Sequence, residues 1–270
     1  MQAQLNIGTI SSSLGGAGAS SLDALESPLL NPATLPHFED FIWGFYYSQR
    51  MGAESSNERA SSFIFSDSTS ANYFPAAFAY VKEDITSLEG ATITSKNYVV
   101  SFGGFVLPTL SLGMNLHRKN SLIDEATRFS QNNYGLGMLW APTSSIGMSV
   151  VGHSLARPSS LVPDNLKLKS KVSLGGYFIY LDSFHFRADV DQTIVENPKN
   201  KKTFKLGVES RLWRFIALRW GFQWDKLIEK NMFTAGVGFN GPNLNVDYAF
   251  QNEIERGGGT RHLIDLRLPF

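Results

Sequence analysis

Hydrophobic and polar positions alternate along most of this chain. In IALRWGFQW, Ile216, Leu218, Trp220, Phe222 and Trp224 share one parity, and Ala217, Arg219, Gly221 and Gln223 the other. A period of two marks a strand with one apolar and one polar face. FHFRADVD repeats it, with Phe184, Phe186, Ala188 and Val190 against His185, Arg187, Asp189 and Asp191. So do TFKLGVES, NLNVDYAFQ and the closing RHLIDLRLPF, where Ile264, Leu266, Leu268 and Phe270 oppose Asp265 and Arg267. In LKLKSKVSLGGYFIY, Lys167, Lys169 and Lys171 fall on one side. The pattern predicts strands near 39–51, 58–66, 72–82, 96–107, 108–118, 130–141, 144–155, 166–181, 184–196, 201–211, 213–225, 230–240, 242–254 and 260–270.

A soluble antiparallel sheet also alternates, so a water-soluble sandwich is the fold alternative. Two features point instead to a membrane. The apolar face is dense in aromatics while the other carries charges of both signs and glycine. The connections are also lopsided: tight near 107–108, 141–142, 181–183, 211–213 and 241–243, and longer and more polar at the opposite end. That asymmetry belongs to outer-membrane barrels, whose strands need about 9–11 residues to cross. The aromatics fall in two belts: Trp140, Tyr180, Phe184, Trp213, Phe215, Phe239 and Phe270 by the short turns, and Trp220, Trp224, Tyr248 and Phe250 nearer the long loops. Backbone polar groups find no partners in lipid, so the strands must close on themselves. The expected fold is all-β: a transmembrane antiparallel β-barrel of about fourteen strands, in the bacterial outer membrane with its short turns periplasmic. An alternating last strand ending on Phe270 also resembles the C-terminal assembly signal of such proteins.

Composition narrows the function. The 270 residues carry 24 Lys plus Arg against 24 Asp plus Glu, so no net positive charge invites nucleic acid. There is no cysteine, which removes disulfides and thiol chemistry. No run of about 18 apolar residues offers a transmembrane helix, and MQAQLNIGT lacks the basic start and apolar core of a signal peptide. Neither a cofactor motif nor a G-x-S-x-G nucleophile appears, and the expectation is a non-enzyme without cofactors. SLGGAGASS lacks the Lys-Ser/Thr of a phosphate loop. His37, His117, His153, His185 and His262 show no metal spacing. NPKNKK reads as a solvated basic loop tip.

Residues 1–38 differ, being rich in Gly, Ser, Ala and Pro with short apolar clusters. GGAGASSLDALESPLLNPATLPHF resembles the opening of the FadL-type fatty-acid transporters and the related PorV-like proteins. The matching positions are Gly15, Gly16, Ala17, Gly18, Asp23, Ala24, Asn31, Pro32, Ala33 and Leu35. The resemblance implies that residues 1–38 fold as a hatch inside a fourteen-stranded barrel formed by 39–270, with Gly15, Gly16, Gly18, Asn31, Pro32 and Ala33 carrying the motif. The chain is short for that family and lacks long insertions for a surface lipid groove.

Three further expectations concern the wall. Inward Lys167, Lys169, His185, Arg187, Asp189, Asp191, Arg219, Asp265 and Arg267 should pair into a charge network, because a lone charge beside lipid is costly. NYVVSFGGFVL is apolar on both parities, so Tyr98, Val100, Phe102 and Phe105 suggest an apolar lumen wall, packed by the hatch or by a lipid-like ligand. Pro75, within the third expected strand, forces either a bulge or a lateral gap; in the resembled family a break in an early strand serves as a sideways exit. The expected function is a porin-like transporter that passes or binds a hydrophobic or lipid-like molecule. The alternative is a plugged scaffold that self-associates as a homo-oligomer or binds partner proteins, possibly enclosing membrane lipid. Small outward residues such as Gly152, Ser170, Gly176 and Ala188 would permit such packing. An open general porin is disfavoured by the hatch.

Overall fold

The computed structural model describes residues 8–52, 57–69, 74–87, 90–124, 127–157, 159–164, 166–194, 201–213, 215–226, 230–254 and 258–270. Of the basic tip NPKNKK, residues 197–200 lie outside them, and Lys201 and Lys202 begin the tenth strand. Fourteen strands follow an N-terminal segment: β1 Phe41–Met51, β2 Asn57–Asp67, β3 Ala76–Thr86, β4 Thr92–Leu107, β5 Leu110–Ile123, β6 Thr127–Thr143, β7 Ile146–His153, β8 Lys171–Tyr180, β9 Phe184–Thr193, β10 Lys201–Leu212, β11 Ile216–Asp225, β12 Lys230–Asn240, β13 Asn245–Glu253 and β14 Thr260–Pro269. Each pairs antiparallel with its sequence neighbours, and β1 closes on β14 from Ile42 opposite Pro269 to Met51 opposite Thr260. Closure leaves no edge strand unpaired around the ring.

The alternation sets which face looks in. On β11, Trp220 is 46% exposed and its neighbour Arg219 only 2%. Apolar side chains therefore point out and polar ones into the bore, the reverse of a water-soluble protein.

Strand ends depart from the pattern where the alternation fades. β5 continues to Ile123 and β6 begins at Thr127, although Arg118 and Asn120 face out while Lys119 and Ser121 face in. Polar residues on both faces erase the period while the ladder continues. The opposite error occurs at β8: LKLKS alternates by charge, yet the strand starts only at Lys171. Lys167 and Lys169 thus belong to the connection 154–170, not to the wall. Pro75 also falls outside its expected strand. It immediately precedes β3, which pairs with β2 and β4 without interruption from Ala76 onward. The Pro75 carbonyl accepts the Gly103 amide at 3.0 Å. A residue without an N–H starts the ladder here rather than breaking it.

The bore is filled by residues 8–38. Two short helices, α1 Thr9–Ser13 and α2 Ser27–Leu30, and a 3-10 turn at Pro32–His37 cross it, nearly all buried. Glycine makes this fit possible. Gly15 adopts φ 68°, and a Cβ on Gly221 of β11 would lie 2.0 Å from its nitrogen. On the other side, a Cβ on Gly113 of β5 would lie 2.3 Å from the Pro32 carbonyl carbon. Backbone of plug and wall meet directly at both places.

Candidate functional site

The bore divides into two walls that hold the plug by different chemistry. The first spans β9 to β14 and is polar. Asp189 of β9 accepts the amides of Gly18 and Ala19 at 2.7 and 2.8 Å. Arg187 donates to Ser21 Oγ at 2.7 Å. Arg267 of β14 meets Asp23 at 3.0 Å. Thr234 of β12 accepts from Gly15 N and donates to Ser13 O, both at 2.9 Å. Bonds to ionised groups are the stronger kind, and these fix the stretch 13–23 in place.

Behind these contacts the charges pair into two groups. Arg219 sits between Glu209, at 2.6 Å, and Asp247; Asp247 in turn reaches Arg267, which lies 3.5 Å from Asp265. Lys205 and Lys171 share Asp191 at 2.8 and 3.2 Å. His185 approaches Glu209 at 3.8 Å. Of the nine charged or titratable residues expected inward, His185, Asp191, Arg219, Asp265 and Arg267 join these pairs, while Arg187 and Asp189 bond to the plug. Lys167 instead pairs with Asp164, 2.6 Å away on the exposed connection, and Lys169 is half-buried nearby.

The hatch motif explains itself in the same way. Asn31 is fully buried. Its Oδ1 accepts the Ala33 amide at 3.0 Å, capping the turn that Pro32 starts, and its Nδ2 donates to Ala19 O at 2.7 Å. One side chain ties the Gly18 loop to the Asn-Pro-Ala turn. Gly18 sits tightly, since a Cβ there would lie 2.5 Å from the tip of Leu30 and 2.9 Å from Ser11 Cβ, and Gly16, at φ 81°, passes over Gln223 and Lys205.

The second wall spans β1 to β4 and is apolar. Ile42, Ile64, Ala79 and Val99 pack against Ala24 and Leu25 of the plug, with Leu29 and Phe38 alongside. Toward the long-loop end, Tyr46, Val81, Leu263 and Ala249 enclose Leu29 from above. This wall was expected, but not from these residues. Tyr98, Val100 and Phe102 are 37–41% exposed and point outward, while Asn97, Val99 and Ser101 point in. With apolar residues on both parities, Asn97 and Ser101 carried the deciding signal. Phe105 does lie on the inward parity, opposite Ser111, but at the rim, where it covers the His37 ring at 4.7 Å.

Further contacts lie at both ends of the bore. His37 Nε2 sits 3.0 Å from Ser111 Oγ at the short-turn end. At the other end the connection 154–170 turns inward. Asn133 of β6 accepts Ala156 N at 2.8 Å and donates to its carbonyl at 3.2 Å; Gln131 donates to Leu166 O at 2.9 Å and accepts Leu168 N at 3.2 Å. Val162 and Leu166 are buried at 4% and 7% exposure. Across the barrel, on β13, β14, β1 and β2, Arg50 pairs with Glu58 and Glu253, and Arg261 with Glu58. Sequence reading passed over these groups because they lie where both strand faces are polar.

No family model matches the chain, and no curated protein matches it in sequence. Solved structures match it over nearly its whole length. It is similar to CymD, a monoaromatic hydrocarbon channel, at 12% identity and TM-score 0.83, covering 100% of this chain and 99% of that one. It is similar to the toluene transporter TbuX of Ralstonia pickettii at 13% identity and TM-score 0.80, covering 98% of each. A FadL homologue of Pseudomonas aeruginosa superposes at 11% identity and TM-score 0.66, covering 97% of each. Closed ring, strand number and interior N-terminal segment agree with the resemblance in the first 38 residues: the fold is that of the FadL-type outer-membrane barrels.

Proposed function

We propose that the protein is an outer-membrane channel for small hydrophobic molecules, whose route follows the apolar wall of β1 to β4. One observation carries this reading. The plug meets that wall mainly through Ala24, Leu25 and Leu29, side chains an apolar solute could replace, beside a neutral hydrogen bond from Ser101 Oγ to Pro28 O, while its bonds to charged groups lie on the opposite wall. Apolar contact is non-directional and exchangeable in kind; a solute entering there need break no ion pair. The similar structures described as hydrocarbon and toluene carriers support the same class of cargo. The polar wall and the inward connection 154–170 would exclude bulk water and ions.

The test is uptake by whole cells lacking other hydrocarbon channels. Expression should speed uptake of labelled toluene and leave a labelled disaccharide unchanged. Equal toluene uptake with and without the protein would refute the route.

The filled bore favours a second reading, a plugged scaffold that assembles with its own copies. It requires a stable multimer in mild detergent together with no gain in uptake, and native mass measures the first half directly.

A further inference from the structure

Outside the barrel, just above its long-loop aromatic row, β2 to β6 carry a cluster of cations. Tyr80 and Tyr98 pair across β3 and β4 with ring centroids 5.3 Å apart, and mark the end of the apolar band there. Immediately above, Lys82 and Lys96 stand directly opposite each other in the same ladder. Arg118 follows on β5, opposite Tyr98. Arg59 on β2 and Arg128 on β6 continue the patch at either end, both exposed.

Acid is scarce on this face. Asp84 pairs with Lys82 at 2.9 Å and accepts Thr94 at 2.7 Å. Asp124, in the turn between β5 and β6, takes the Thr92 amide at 3.0 Å. Among the described residues, Lys96, Arg118 and Arg128 face no carboxylate. Like charges directly opposite across a ladder are destabilising, so this arrangement is one that a bound anion would relieve. On β10 and β11, Lys202 and Lys226 stand at the same level among the described residues, the latter over the Trp224 ring at 4.5 Å.

We infer that this face of β2 to β6 binds the phosphate groups of a phosphorylated glycolipid in the surrounding leaflet. The chemistry fits in two respects. The cations lie at headgroup height, directly over an outward apolar wall of Phe78, Val100, Phe102, Leu116 and Met114 that acyl chains would cover. Arginine and lysine near an anionic membrane surface each contribute a similar increment of attraction. The inference rests on the membrane-barrel reading of the outward face, not on the transport route inside.

The experiment uses the full chain, refolded in detergent without cellular lipid, and native mass spectrometry with a purified bis-phosphorylated glycolipid. Wild type should retain it far better than the same lipid stripped of phosphate. The variant Lys96→Gln with Arg118→Gln should lose about thirty-fold, from about fivefold per charge. Lys202→Gln with Lys226→Gln should lose little, and toluene uptake should be unchanged in both. Equal retention of the dephosphorylated lipid, or wild-type retention by the Lys96/Arg118 variant, would overturn the inference. Complete displacement by millimolar inorganic phosphate would also overturn it, showing a free-anion site. Lack of toluene uptake with lipid retention intact would count against the transport route alone.

Discussion

The two inner walls bury the same plug by opposite means. On β9 to β14 the contacts are few, polar and directional, as where Asp189 holds two consecutive amides. On β1 to β4 they are mostly apolar and spread over Ile42, Ile64, Ala79 and Val99, with the neutral bond of Ser101 to Pro28 O beside them. A hydrogen bond to a buried charge is lost outright when its partner leaves, because the charge is then left unsatisfied. An apolar contact can be replaced by another apolar molecule at little cost. On the proposed route, one wall anchors the plug and the other carries passage.

The sharpest way to break it is on the anchoring side. Arg219 separates the carboxylates of Glu209 and Asp247, all three essentially buried. Arg219→Ala removes the cation shared by two buried carboxylates, leaving Asp247 to Arg267 and Glu209 to Arg211 alone, which costs up to about 3–5 kcal/mol. Thermal unfolding in detergent should shift down strongly; an unchanged midpoint would remove the network from any structural role.

On the passage side, Leu25→Ala opens a gap under β1, where a Cβ on Gly44 would lie 2.2 Å from the Leu25 side chain. Leu to Ala in a packed interior costs about 2–5 kcal/mol, here concentrated in the seating of the plug. Toluene uptake should rise while disaccharide uptake stays flat. If both rise together, the walls do not differ as argued.

Asp189→Asn tests the anchor more gently. The amide side chain still accepts from Gly18 and Ala19, but without charge, at a cost of about 1–3 kcal/mol. Ion conductance across a planar bilayer should increase, with no preference for hydrocarbon.

How much of this was visible in the chain follows from the same contrast. On β9 to β14 the polar and apolar parities are unmistakable, and Arg187, Asp189, Asp191, Arg219, Asp265 and Arg267 all face the bore as their alternation predicts. On β4, apolar residues occupy both parities, and Tyr98, Val100 and Phe102 were assigned to the wrong face. Small polar residues decided that strand: Ser95, Asn97 and Ser101 look inward because only the bore offers them partners, such as Pro28 O for Ser101 at 2.8 Å. Lys167 and Lys169 misled because alternating charge imitates a strand without being paired as one. Asp23 could not be assigned a partner, since Arg267 is distant in sequence and only barrel closure brings them together. The inward fold of 154–170 left no trace of its own beyond that misleading alternation; Gln131 and Asn133, its holders, read as ordinary strand polar residues.

The smallest expected effect concerns the rim, where the two walls give way to the short-turn mouth. Ser111 Oγ donates its single proton to Ala33 O at 2.6 Å, so it accepts from His37, whose Nε2 must carry hydrogen. Burial lowers the His37 pKa below its ordinary value of 6.5, because the ring under Phe105 is poorly placed to be charged. The folded state therefore favours the neutral ring more than the unfolded chain does. Its contribution is complete above the unfolded value and fades as pH falls through the lower folded one. Acidification from pH 7.5 to 5 should loosen the Pro32–His37 turn slightly, while the Asp189 anchor keeps the rest of the plug seated. His37→Gln retains a donor toward Ser111 without the titration, so its thermal midpoint should lack this acid-side decline. If wild type and His37→Gln decline alike with falling pH, the rim is not what titrates, and the mouth is held by the turn's backbone packing against Gly103 and Gly113.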